Sequence, residues 1–266
     1  MLIPKNIPVF AGAPDFVMAV LGTGTTAPNI TCNRSGSSEG INYCSTKPFN
    51  KFGLISLPHI IDGLFTVSGL ISTTGKALEW FAKIMDSDYK LFEDASKTDP
   101  VAGGILFLPY LAGERTPIWD NRARGVFTGI SLNHGKKDMA RAVIESIGYT
   151  IRDCINLIEN CGGQITSLRI SGARNNAKWL NQIKADITEK TITVPQIADA
   201  ELTGCAIIGH TKLGLFPNLE HAANKMVKFK ECYFPNSKHS EIYLSGFEHY
   251  KREQLHVIEN LKVPII

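Results

Sequence analysis

Ser167–Ile187, SLRISGARNNAKWLNQIKADI, is the stretch from which the rest of the chain can be read. Leu168 and Ile170 alternate with polar neighbours, the period of a half-buried strand, and the small residues Ser171-Gly172-Ala173 follow as a turn. From Asn176 the period changes. Ala177, Leu180, Ile183 and Ile187 recur at spacings of three and four, which predicts a helix whose free amides Asn175 or Asn176 can cap. A strand, a tight turn and a helix N-terminus gather backbone N–H groups and the positive helix end beside Gly172, where no side chain blocks close approach. The unit is either a plain connection or a seat for an anion or nucleotide, and the local sequence leaves both open.

Composition narrows the classes around this unit. A chain of 266 residues can bury a full core as one large domain or two modest ones. Its 44% hydrophobic and 20% charged residues fit a globular protein and argue against wholesale disorder. The net charge of +3 is spread without a basic run or aromatic-basic interleaving, which argues against nucleic acid or a membrane surface as partner. The cysteines at 32, 44, 154, 161, 205 and 232 form no CxxC pair and no Cys/His spacing suited to zinc, so reduced thiols and no metal site are expected. No charged-then-apolar leader and no run near the roughly 20 apolar residues of a membrane span are present, and a cytoplasmic setting is expected.

Upstream, Ile7 to Asp15 reads as a short buried strand ending in a turn, followed by a helix over Phe16 to Leu21. Asp15 at the junction is either the helix N-cap or a general base at a strand end, and both roles can hold together. Thr31 to Ser45 reads as two extended runs around Gly36-Ser37-Ser38-Glu39-Gly40. That turn is either an ordinary hairpin or a loop whose bare amides and two hydroxyls hold a phosphate. Two strands are expected between Leu54 and Leu70. A helix then starts after Thr74 with Gly75 in its first turn and Glu79 one turn along.

Asp86 to Pro100 reads as a short helix and loop, and Gly103 to Leu111 as an apolar strand. Glu114 and Arg115 either orient a substrate or pin their loop as an ion pair. Gly125 to Ile130 is strand-like, His134 is a surface loop residue, and Lys136 to Asn160 is a long core helix with Met139, Val143, Ile147, Ile151, Ile155 and Ile158 on one face. Beyond the opening stretch, a strand over Thr191 to Pro195 and helices over Glu201 to Leu215, Asn218 to Met226 and around Phe247 to Leu261 complete a mixed α/β pattern.

Gly125-Val126-Phe127-Thr128-Gly129-Ile130, a seven-residue spacer, then Asp138-Met139 and Ala142-Val143-Ile144-Glu145 resemble the second signature of the FGGY carbohydrate kinases. Phe107 to Gly125, FLPYLAGERTPIWDNRARG, is similar to the corresponding loop of xylulose and gluconate kinases, and SGARNNAKW to their adenosine-binding turn. The resemblance covers nearly the whole chain but only the second half of such an enzyme. It implies an α/β chain of the actin-like, ribonuclease H-like ATPase fold, a mixed sheet flanked by helices. Residues 1–30 would be the end of the N-terminal lobe and hinge, and residues 31–266 the C-terminal nucleotide-binding domain.

By the same resemblance, Asp15 matches the catalytic base. Gly36, Ser37 and Ser38 match the loop on the outer phosphates of ATP, with Ser37 where the family more often has threonine. Gly75 and Glu79 match nucleotide contacts at a helix start, and Gly172, Ala173 and Asn176 match the turn on the adenosine. The implied reaction moves the γ-phosphate of ATP to a hydroxyl of a small, xylulose-like sugar, with Mg²⁺ on the phosphates. The family's first phosphate loop and most sugar contacts have no match before Asp15, so the chain alone is expected to be inactive and, with a lobe face exposed, to self-associate. The alternative is a non-catalytic actin-like module that binds nucleotide or another subunit.

Overall fold

The computed structural model describes residues 6–172 and 176–262. In chain order its elements are α1 (Asp15–Gly22), β1 (Thr31–Ser35), β2 (Glu39–Ser45), β3 (Leu54–Pro58), β4 (Phe65–Ile71), α2 (Gly75–Ile84) and α3 (Lys90–Ala95). A 3₁₀ turn (Pro100–Gly104) precedes β5 (Leu106–Leu108), β6 (Val126–Thr128), α4 (Lys136–Glu159), β7 (Ser167–Ser171) and α5 (Lys178–Thr188). Then come β8 (Thr191–Pro195), α6 (Ala200–Lys212), α7 (Leu219–Met226), β9 (Phe229–Tyr233) and α8 (Ser237–Leu261).

The main sheet runs β3-β4-β2-β1-β7-β8-β9, and β5 pairs with β6 separately. The β1–β2, β2–β4, β3–β4 and β8–β9 pairs are antiparallel, whereas β1–β7 and β7–β8 are parallel. Side chains alternate along β1, so its two faces meet different layers. Asn33 and Ser35 reach Lys184 on α5, while Arg34 reaches Asp15 on α1 and Glu201 on α6. Helices therefore cover both faces of the sheet.

Most of the core lies on the α4–α5 side, where Ile41, Val67, Leu168, Ile170 and Ile192 from the strands meet Val143, Ile147, Ile151 and Ile187. α4 is buried along most of its length from Ala140 on, the charged Arg141, Glu145 and Asp153 included. Arg141 Nε lies 2.7 Å from Glu145 Oε1, and the same guanidinium donates to the carbonyls of Ser96 and Thr98. That ties the segment after α3 to α4. A smaller core of Met18, Leu21, Ile207, Ile208, Ala222 and Ala223 joins α1 to α6 and α7. α1 and α6 touch backbone to backbone: a Cβ on Gly204 would fall 2.2 Å from the Met18 carbonyl oxygen, and one on Gly22 would fall 1.8 Å from that of Ala200.

Several expectations need correction. The segment before Asp15 is not a buried strand: Ile7, Val9 and Phe10 are exposed, and no strand pairs with it among the described residues. Its apolar residues mimic a strand's composition, but a strand needs a neighbour's backbone groups to be stable. The apolar run from Gly103 is a strand only over Leu106–Leu108, because Val101, Ala102 and Gly103 adopt positive φ in the preceding turn. β9 was not expected, and α8 begins ten residues before Phe247. No helix of the described residues is long and apolar enough to cross a membrane.

Candidate functional site

β1 and β7 run parallel with Arg34 opposite Ser171, so the turns that follow them leave the sheet at the same end. There the Gly36–Ser38 bend meets Gly172. Gly172 has φ 100°, and a Cβ on it would sit 1.9 Å from the Ser35 carbonyl oxygen. Only glycine allows both that conformation and that approach. Gly36, Ser37, Ser38, Gly172 and Asn176 line one cavity of about 560 Å³, with Asp199 and Glu201 at its far side.

The loop is anchored by backbone. Gly36 N–H donates to the Ser38 carbonyl at 2.9 Å, and the Ser37 carbonyl accepts from the Thr74 and Lys76 amides at 3.2 and 3.1 Å. The start of α2 thereby holds the loop from behind. The Ser37 and Ser38 hydroxyls make no hydrogen bond among the described residues, and both residues line the cavity. Beneath the loop, Glu39 Oε1 receives Lys184 Nζ at 2.7 Å and the Ser35 hydroxyl at 2.8 Å, and Glu39 Oε2 receives Asn33 Nδ2 at 2.8 Å. The Lys184 and Glu39 side chains are only 1% and 2% exposed, so this buried pair fixes both ends of the bend.

Asp15 opens a neighbouring cavity of about 270 Å³ that shares Arg34 and Ser38 with the first. It is not the N-cap, since Pro14 holds that place and Asp15 is the first helical residue. Its carboxylate is 69% exposed and accepts from Arg34 Nη2 at 2.8 Å and from the Phe16 amide. The carboxylate thus borders a cavity that adjoins the serine loop's through Arg34 and Ser38, and its remaining side is open to a ligand.

Gly75 and Glu79 lie on α2 and do not border either cavity. Gly75 is buried beside the amides that hold Ser37, and Glu79 is exposed one turn on. Between them, Leu78 borders a third cavity of about 420 Å³ with Ala177, Trp179 and Leu180 at the start of α5. Ala173 and Asn175 lie outside the described residues. Helix α5 begins at Lys178 rather than Asn176, with no side-chain cap: the Asn176 carboxamide instead accepts from Lys230 on β9, a strand the local sequence did not announce. Thr74 is an N-cap by position only, its hydroxyl buried without a partner.

Glu114 and Arg115 do not pair with each other as expected. Glu114 Oε1 accepts from the Ser72 and Arg115 amides, each at 2.7 Å, and Arg115 donates to the Ser72 hydroxyl and the Ile71 carbonyl. Both pin their loop to the end of β4. Burial pushes the Glu114 carboxyl up to about 7, against the lowering effect of those donors. His134 bonds Ser131 and the Gly103 carbonyl, a loop tie. No group of His, Cys, Asp and Glu among the described residues could hold a metal. Sequence reading missed Arg34 and Lys184, because their partners come from other elements: Asp15 on α1 and Glu201 on α6 for Arg34, and Glu39 on β2, 145 positions away, for Lys184.

A mixed sheet with helices on both faces and glycine turns gathered at one strand end defines a lobe of the actin-like ATPase fold. Xylulose kinase from Lactobacillus acidophilus superposes with a TM-score of 0.82 at 26% identity over 90% of this chain and 50% of that one. Plasmodium falciparum glycerol kinase with ADP, at 18% identity and a TM-score of 0.78, shares the fold. Residues 18–213 match the model of the FGGY family of carbohydrate kinases, C-terminal domain, and the chain belongs to that family. A xylulose kinase of Staphylococcus epidermidis is 29% identical over 93% of this chain and 51% of its own length. A gluconokinase of Bacillus subtilis is 28% identical over 79% and 44%. The chain spans about half the length of the curated relatives it matches.

Proposed function

We propose that this chain is the C-terminal, nucleotide-binding part of an ATP-dependent sugar kinase that phosphorylates a hydroxyl of a small, xylulose-like sugar in the cytoplasm. The outer phosphates of ATP rest on Gly36, Ser37 and Ser38, which line the cavity and bring two hydroxyls to its wall. The adenosine lies along Gly172 and Asn176 toward the hollow between Leu78 and Trp179, which brings the segment from Gly75 to Glu79 and Gly172 to the same nucleotide, with Ala173 assigned to it by the family resemblance alone. Mg²⁺ would be held through the phosphates rather than by a cluster of this chain's described side chains, and would supply charge neutralisation. Asp15 accepts the proton of the sugar hydroxyl as its oxygen attacks the γ-phosphorus.

The observation that carries this reading is the shared border of the two cavities. Asp15 and the serine loop, separated in sequence by a helix and a strand, line adjoining cavities that meet at Arg34 and at Ser38 of the loop. Phosphoryl transfer demands a base and a phosphate cradle so placed, because the protein's task is to align the reactants and stabilise spread charge.

One experiment decides the assignment of the base. In the enzyme that carries this sequence, Asp15→Asn abolishes sugar-dependent ADP release while ATP binding persists; retained release removes Asp15 from the role. The 266 residues alone bring one set of contacts to a reaction that needs both reactants held, and are expected to show no turnover. A rate in the range of about 1–100 s⁻¹ from them would overturn that expectation.

A further inference from the structure

Arg34 belongs to none of the glycine turns, yet with Ser38 it borders both the serine-loop cavity and the Asp15 cavity. Its Nη2 donates to Asp15 Oδ2 at 2.8 Å and its Nε to Glu201 Oε1 at 3.2 Å, and the side chain is 36% exposed. Nη1 makes no hydrogen bond among the described residues. Stability does not account for the arrangement, since ion pairs this accessible to water add little. The position does suit a ligand. Asp199 and Glu201 line, and Asp15 adjoins, a cavity that the kinase reading fills with phosphates, and like charges repel; the guanidinium lies between Asp15 and Glu201.

We propose that Arg34 is a catalytic residue of the phosphoryl transfer described above, an inference that rests on that reading. Its free Nη1 edge contacts the γ-phosphoryl group while Nη2 keeps Asp15 in place. In the step, the sugar oxygen bonds to the γ-phosphorus as the bond from that phosphorus to the β,γ-bridging oxygen breaks. The electron pair stays on ADP, and the hydroxyl proton passes to Asp15. Negative charge on the phosphoryl oxygens is met by a planar cation with five donors, enough to serve a carboxylate and a phosphoryl group together. One side chain thereby sets the distance between base and phosphate.

Calorimetric titration with ATP and with ADP tests the contact without turnover. Arg34→Met in this chain weakens ATP by roughly tenfold and ADP by less than about threefold, because only ATP carries the contacted group. Equal losses for both nucleotides, or none, overturn the inference. In the active enzyme, Arg34→Met lowers kcat by about 10³-fold, the lower end for an arginine acting on a transferring phosphoryl group. Added guanidinium restores part of the rate and Arg34→Lys does not, a pattern that loss of a merely structural contact would not give. A variant with full kcat, or one that guanidinium leaves unchanged, refutes the role. Asp15→Asn and the unaltered enzyme run beside these separate the two claims: no sugar-dependent ADP release from the unaltered enzyme sinks the kinase reading and the inference with it; if the unaltered enzyme turns over and only Asp15→Asn loses transfer, the inference alone fails.

Discussion

Replacing Lys184 with methionine tests whether the pair beneath the serine loop organises the site. Methionine keeps most of the side chain's bulk but leaves the Glu39 carboxylate, 2% exposed, with only Asn33 and Ser35 as donors. Removing one partner of a buried ion pair costs about 3–5 kcal/mol, because the surviving charge can reach neither water nor a counter-ion. For a chain of this size that corresponds to a fall in Tm of roughly 6–20 °C. Thermal melts followed by circular dichroism, with urea titrations at fixed pH, measure it. The double variant Lys184→Met/Glu39→Gln removes both charges, and its amide oxygen still accepts from Asn33. It should recover more than half of the loss. A single variant that costs under about 1 kcal/mol, or a double variant no more stable than the single, would show that the pair is not sealed from water as described.

Gly172→Ala sets a Cβ against the Ser35 carbonyl at a φ that L-residues avoid, so the turn must move off the serine loop. Calorimetry should find ATP affinity reduced by roughly tenfold or more, and unchanged affinity would detach Gly172 from the nucleotide. Glu114, with its carboxyl raised to about 7 in the folded chain, favours folding most when protonated; that contribution is full below its unfolded value and is lost as pH rises through 7. Glu114→Gln keeps the acceptor for the Ser72 and Arg115 amides, so its stability relative to the unaltered chain should rise by about 2 kcal/mol between pH 5 and pH 8; a flat difference would contradict the buried carboxyl. Gly204→Val wedges α6 from the Met18 carbonyl and displaces the helix that carries Asp15. Urea unfolding should register a loss of about 1–3 kcal/mol, and kinase assays a fall in kcat larger than any change in nucleotide affinity.

Local pattern was enough for elements whose period and punctuation agree. α4 carries its apolar face at helical spacing and ends at Glu159, shortly before Gly162-Gly163, and Thr191 to Pro195 is the strand its β-branched residues announce. Such elements depend on neighbours a few positions away, which a sequence displays. Elements defined by distant partners were not legible. The Ile7 segment has strand-like composition but pairs with no strand among the described residues, while Phe229–Tyr233 takes its conformation from pairing with β8 despite an unremarkable sequence. Asn176 looked like a cap because asparagine so often is one, yet Lys230 takes its oxygen.

The same division runs through the site. The glycine and serine turns, and Asp15 at the head of a helix, are visible in the sequence because each is a local break in pattern. Their convergence is not, since it follows from the parallel pairing of β1 with β7 and from α1 lying against α6 through Gly22 and Gly204. Arg34 and Lys184 show the limit most clearly. In sequence each is one cation among many; only tertiary structure sets the first between two carboxylates at the rim and seals the second beneath the loop, because burial and partner charge are properties of the packed chain.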